Sequence, residues 1–247
     1  VGAIVIYFLL QLGEYDRLER ISYYIYAALI LLLVVTLLWG KMVNGARSWL
    51  GIFGFGIQPS EFMKLGFIIA LSSFYSNRRQ GIDSLRTFLL GALFLLPPLI
   101  FVMLQPDLGT SLVYFPLFLA VSYVAGVKKR YVFFLLFAGL FMVFFAVLPV
   151  WESKIMHEDL NVLRLFEERE LILFTTIILL STGGLAMIGF FVTKRFYFYW
   201  LSYGFSIAWS SLLGSFLFRI FLKDYQIMRL IVFLNPEVDP RGSGWNI

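Results

Sequence analysis

Ionisable side chains are scarce in this chain, and several fall where apolar sequence would otherwise continue unbroken. Glu61 and Lys64 lie three apart in "QPSEFMKLG" (58–66), a run otherwise rich in Phe, Met, Leu and Gly, so they share one face of a helix. A second Gln-Pro opens "QPDLGT" (105–110), which carries Asp107. Each Gln-Pro precedes a Ser or Asp suited to cap the helix that begins there. The closing stretch "FLNPEVDPRGSGWNI" (233–247) sets Asn235 and Asp239 directly before prolines, which restricts both to extended backbone. Arg47, Arg229 and Arg241 add cations near these same stretches. Carboxylates move protons and basic side chains neutralise anions. Charges at membrane depth are costly, so they face a cavity or each other.

Taken singly, each residue also has a structural explanation. Glu61 suits the first turn of a helix, and a Glu61–Lys64 ion pair alone would account for both residues. Asp107 serves equally as an N-cap, and the arginines as snorkels toward headgroups. His157, the only histidine, sits in the acidic stretch "WESKIMHEDLNVLRLFEERE" (151–170), which reads as solvated or interfacial rather than as a metal site. Pro97, Pro98 and Pro116 read as helix kinks.

The elements that must position these groups follow from composition. With 60% hydrophobic residues, 14% charged residues and a mean hydropathy of +0.86, the chain is an integral membrane protein. Apolar runs near 1–12, 23–39, 60–75, 88–104, 110–126, 131–151, 171–192 and 196–218 predict about eight membrane segments. The fold expected is all-α, a polytopic helical membrane protein with re-entrant or interfacial loops on its outer face. Residues 1–247 are expected to form a single polytopic membrane domain, cut at both ends. Val1 begins inside an apolar run without a charged n-region, so that run does not read as a signal peptide. The absence of Cys excludes disulfide and thiolate chemistry.

The loops at 14–20, 76–86, 126–130 and 193–195 hold ten of the twenty Lys and Arg, and by charge bias they face the cytoplasm. Residues 44–66, 105–110 and 223–247 then share the extracytoplasmic side. Trp39 and Trp151 lie at outer interfaces, and Tyr131, Tyr197 and Trp200 at inner ones.

"NGARSW", "QPSEFMK", "QPDLGT" and "DYQIMRLIVFLNPEVDPRGSGWNI" occur in an order and on a side that resemble the SEDS family (shape, elongation, division and sporulation) of membrane glycosyltransferases. "NPEVDP" and "GWNI" resemble its elongation branch more than its division branch. The resemblance implies polymerisation of lipid II into glycan strands, with inversion at the sugar and release of undecaprenyl pyrophosphate. It implies Asp239 as the catalytic base, and Arg47, Glu61, Lys64, Asp107 and Arg229 as substrate-binding residues. A pyrophosphate leaving group calls for basic side chains or for a divalent cation such as Mg or Mn, and the sequence leaves any metal ligands unassigned. The partners implied are a class B penicillin-binding protein and the membrane, with no nucleic acid. The location implied is the inner membrane of a bacterium, with the active site on its outer side.

The chain departs from the family pattern in one place. Residues 151–220 insert an acidic outer stretch and two apolar segments before Asp224-Tyr225-Gln226. Two rival classes share these features. A lipid II flippase would show repeated halves with half-helices at the midplane, of which only the echo of "QPSE" and "QPDL" is present. A non-catalytic scaffold of the wall-elongation complex would tolerate loss of its carboxylates.

Overall fold

The computed structural model describes residues 15–43, 46–52, 55–151 and 168–221. The chain divides into two compact units, Val1–Val132 and Phe133–Ile247. The first holds α1 (Tyr15–Trp39), the strands β1 (Lys41–Val43), β2 (Ala46–Ile52) and β3 (Phe55–Ile57), and the helices α2 (Pro59–Ser76), α3 (Leu85–Leu93), α4 (Leu96–Leu104) and α5 (Leu108–Ala125). α6 (Lys129–Trp151) starts at its end and runs into the second unit, which adds α7 (Arg169–Thr193) and α8 (Phe196–Phe221).

Among the described residues six helical stretches are long and apolar enough to cross a membrane: Arg17–Trp39, Leu85–Leu104, Leu108–Ala125, Lys129–Pro149, Arg169–Thr193 and Phe196–Ile220. The polytopic helical fold expected from composition is thus present, while the run at 1–12 lies outside the described residues. α2 has the 18 residues of the shortest of the six but is not among them. Glu61, Lys64 and four serines make it less apolar, and it is enclosed by protein instead, with Met63, Phe67, Ala70 and Leu71 fully buried.

One expectation is corrected and one is refined. The "EYDRLER" loop is already helical from Tyr15. The segment after α1 is an antiparallel sheet in the order β1-β2-β3, which pairs Lys41 with Trp49 and Gly51 with Gly56. Gly40, Gly51 and Gly56 weaken a helix there, and Asn44-Gly45 in the sequence is a strong hairpin signal.

The expected segment at 88–104 is two helices, broken at Phe94–Leu95 ahead of Pro97 and Pro98. Pro98 has no N–H to give the carbonyl of Phe94 four residues back, and the Tyr26 hydroxyl donates to that oxygen instead at 2.7 Å. At the end of α5, Gly126 takes φ 94°, and the N–H of Val127 reaches the Ser122 carbonyl at 3.1 Å, closing the helix as a glycine C-cap does. The core of the first unit is Phe67, Leu71, Tyr75, Tyr114 and Phe118. Leu29 of α1 packs directly on Gly66 of α2.

In the second unit α7 and α8 form a helical hairpin. Phe198 lies over Gly189, and Phe205 meets Gly183. Phe134 on α6 meets Tyr203 on α8 with ring centroids 5.8 Å apart.

Candidate active site

Of the six candidate residues, Arg47, Glu61, Lys64 and Asp107 are described, whereas Arg229 and Asp239 lie outside the described residues, as does His157. The four described residues gather where α2 and α5 begin.

Pro59 occupies the first turn of α2, a favoured place for a residue without an N–H, and Gln58 stands at the N-cap without making a side-chain cap. Ser60, expected as the cap, is one residue too far in. It is fully buried, its Oγ without a hydrogen-bond partner among the described residues. Asp107 does cap its helix. Its Oδ1 accepts from the Thr110 N–H at 3.1 Å, and its Oδ2 from the Thr110 hydroxyl at 2.9 Å.

The two Gln-Pro corners then join. The side-chain amide of Gln58 donates to Asp107 Oδ2 at 2.9 Å, so the capping carboxylate of α5 is also held by the residue that opens α2. Deeper in, the Tyr114 hydroxyl on α5 donates to the Ser60 carbonyl at 2.9 Å. Both helices therefore direct their N-terminal ends, each carrying partial positive charge, toward one place.

β2 is fastened to the same corner. The N–H of Arg47 donates to the Gln105 carbonyl at 3.2 Å. The amide of Gln105, fully buried, donates to the Leu33 carbonyl of α1 at 3.1 Å, and its Oε1 has no partner among the described residues. The Arg47 side chain is exposed and shares a face of the pleated strand with Trp49 and Gly51. Lys41, paired with Trp49 across the sheet, reaches over Gly51 and adds a second cation to that face.

Lys64 Nζ and Glu61 Oε2 form an ion pair at 2.7 Å, with the Glu61 side chain half exposed and Lys64 largely covered. Among the described residues no three His, Cys, Asp or Glu side chains come together, and both oxygens of Asp107 are taken by N–H and O–H donors. This donor set does not make a cage for Mg or Mn. What it does offer is a polar, cation-bearing end on an apolar bundle, suited to an anionic group carried on a lipid.

Three participants were missed from sequence: Gln58, Gln105 and Thr110. Their signal was the repeated Gln-Pro itself, which marks two helix starts but not their meeting.

Residues 1–168 match a family model, FTSW_RODA_SPOVE, described as "Cell cycle protein". Over all 247 residues the chain is 38% identical to peptidoglycan glycosyltransferase RodA of Treponema pallidum, of which it covers 57%. Over 143 residues, 57% of this chain, it is 35% identical to stage V sporulation protein E of Bacillus subtilis, covering 39% of that protein. A solved structure described as "Structural coordination of polymerization and crosslinking by a peptidoglycan synthase complex" aligns with 98% of this chain and 51% of that one, at 26% identity and a TM-score of 0.50. The chain thus spans 57% of the Treponema protein's length and 39% of the Bacillus protein's. Its likeness to the Treponema protein continues through α7 and α8, past the end of the family-model match.

Proposed function

The chain belongs to the cell cycle protein family that takes in FtsW, RodA and SpoVE, and from that premise we propose that it polymerises lipid II as a peptidoglycan glycosyltransferase of cell elongation. The observation that carries the reading is the joining of the two Gln-Pro helix starts by Gln58 and Asp107, with Arg47 and Lys64 beside them. The 38% identity to a RodA over the whole chain supports it.

In the proposed reaction the 4-hydroxyl of the acceptor's N-acetylglucosamine attacks C1 of the donor's N-acetylmuramic acid. The new glycosidic bond forms with inversion as the bond from C1 to undecaprenyl pyrophosphate breaks. Asp239 takes the hydroxyl proton as general base, as in inverting sugar transfer generally. Its setting before Pro240 limits its backbone freedom. Arg47, Lys64 and Arg229 meet the charge growing on the pyrophosphate, aided by the N-terminal dipoles of α2 and α5. Glu61 orients Lys64, and Asp107 with Gln58 fixes the spacing of the two helices.

Charge bias in the loops puts this end outside the inner membrane of a bacterium, with residues 1–247 as one polytopic membrane domain and the acidic stretch with α7 and α8 (151–220) as an addition to it. A class B penicillin-binding protein is the partner in this reading, supported by the alignment to a peptidoglycan synthase complex. Cysteine labelling in intact cells tests the sidedness. Met42→Cys, on the exposed face of β1, should label from outside and Lys129→Cys should not.

The activity is tested by giving the purified full-length protein labelled lipid II, with and without the transpeptidase, and resolving products by gel. Glycan polymer is expected. No polymer in either case, with lipid II moved between vesicle leaflets, would turn the reading to transport.

A further inference from the structure

The opposite end of α2 carries a second feature that the proposed chemistry does not use. An open groove of about 670 Å³ runs between α2 and α5, within the size range of small-ligand sites. Ile68, Ser72 and Ser76 on one helix face Leu117, Val121 and Val124 on the other. The first set recurs every four residues and the second at four and then three, so each forms a single stripe along its helix. Tyr75 lines the groove, its hydroxyl in a buried hydrogen bond with Ser122 Oγ at 2.9 Å, while Val124, also lining it, is 85% exposed. Small side chains, among them Ala120, leave the space open.

The groove runs into a polar pocket of about 360 Å³, and the two share Ser76 and Arg79. Arg78 also lines that pocket, its guanidinium 4.3 Å from the centre of the Phe74 ring. Among the described residues neither arginine meets a carboxylate. Asp83, nearby in sequence, is engaged by Lys128 at 3.9 Å. A largely apolar groove ending in two arginines, which have no carboxylate partner among the described residues, has the chemistry of a lipid chain joined to an anionic headgroup.

We propose that this groove and pocket bind an anionic phospholipid, with an acyl chain lying between α2 and α5 and the phosphate held by Arg78 and Arg79. The site is separated from the candidate active site by the length of α2, about 27 Å for 18 residues. By the loop charge bias it faces the cytoplasmic leaflet, where anionic lipids are drawn to basic segments. The assignment depends on the chain being a membrane protein and stands independently of lipid II polymerisation.

The test is native mass spectrometry of the full-length protein in detergent, titrated with dioleoylphosphatidylglycerol or dioleoylphosphatidylcholine. Phosphatidylglycerol should be retained more tightly by roughly 25-fold, and Arg78→Gln with Arg79→Gln should remove that preference, at about fivefold for each basic residue. Ala120→Phe, which fills the slot, should weaken both lipids. Arg195→Gln, in another basic loop, should change nothing, and glycerol phosphate should not compete. Thermal unfolding without lipid checks that each variant is folded. Where the double variant is not, Arg79→Gln alone carries the test with about a fivefold loss. Equal retention of the two lipids, an unaltered preference in the folded arginine variants, or the same loss in Arg195→Gln would overturn the proposal. Full competition by glycerol phosphate would overturn it too, leaving a site for free phosphate.

Discussion

The first unit and the α7–α8 hairpin differ in where their polar side chains find partners. In the first unit Ser22, Thr36 and Ser111 bond back to their own helices, but five further links bridge elements far apart in sequence: Gln58 to Asp107, Tyr114 to Ser60, Tyr75 to Ser122, Tyr26 to Phe94 and Gln105 to Leu33. In the hairpin the hydroxyls of Ser181, Thr182, Thr193, Ser206, Ser210, Ser211 and Ser215 turn back to carbonyls three or four residues earlier on their own helix. Bonds of the second kind satisfy a group without choosing a neighbour. α7 and α8 are instead matched by shape, with aromatic rings over glycines, as helices in lipid commonly are.

The contrast is one between specifying and filling. An interhelical hydrogen bond in a membrane protein contributes only about 0.6 kcal/mol on average, so the links of the first unit add modestly to stability. They do fix which helix start stands beside which. A site built from two helix ends and a strand needs that registration, because misplacing a group by about an ångström can cost two orders of magnitude in rate.

The largest effect is expected at Asp239, the proposed proton acceptor, which sets the scale for everything else. Asp239→Asn should lower lipid II polymerisation by about 10²–10⁴-fold with the fold intact, while Glu237→Gln leaves it near wild type. Equal loss in both would mean that the segment is shaped by its carboxylates rather than using one of them. Next comes the clamp. Arg47→Gln removes the charge-assisted phosphate contact proposed for it and should cost about 1.5–3 kcal/mol or roughly 10–150-fold in the use of lipid II. Arg195→Gln, beyond the end of α7, should have no effect on polymerisation kinetics.

A smaller change should follow from breaking the link between the helix starts. Asp107→Ala loses both a cap and a bridge and should cost about 1–2 kcal/mol in unfolding, with polymerisation falling as well. Gln58→Ala keeps the cap and should cost nearer 1 kcal/mol. The smallest effect belongs to the hairpin. Ser211 is fully buried but bonded to Ile207 of its own helix at 2.6 Å, and Ser211→Ala should stay within about 0.5 kcal/mol. Thermal unfolding in detergent measures all three. The comparison fails if Ser211→Ala costs as much as Gln58→Ala.

Much of this was legible in the amino-acid sequence because it depends on local chemistry. Apolar runs of membrane length give the helices of the first and second units, since a spanning backbone must satisfy its own hydrogen bonds. Pro97 and Pro98 announce the break after Phe94, and Asp107 announces its cap. The long motifs from "NGARSW" to "GWNI" point to the family, which the match over residues 1–168 bears out. The cap expected at Ser60 failed for an equally local reason, because Pro59 already fills the helical position before it.

What only the tertiary structure decided is which of these pieces meet. Nothing in either Gln-Pro states that the Gln58 amide ends on Asp107, 49 residues away, or that the strand bearing Arg47 is tied to the backbone of Gln105. Periodicity records which side of a helix is apolar, not which helix lies against it. The sheet at 41–57 went unread because its strands are too short for a clear alternating pattern. The hydroxyls of α7 and α8 look no different in sequence from those of α2 and α5, since any Ser or Thr can bond its own helix. Whether one reaches across instead depends on a partner that packing alone brings within 3 Å.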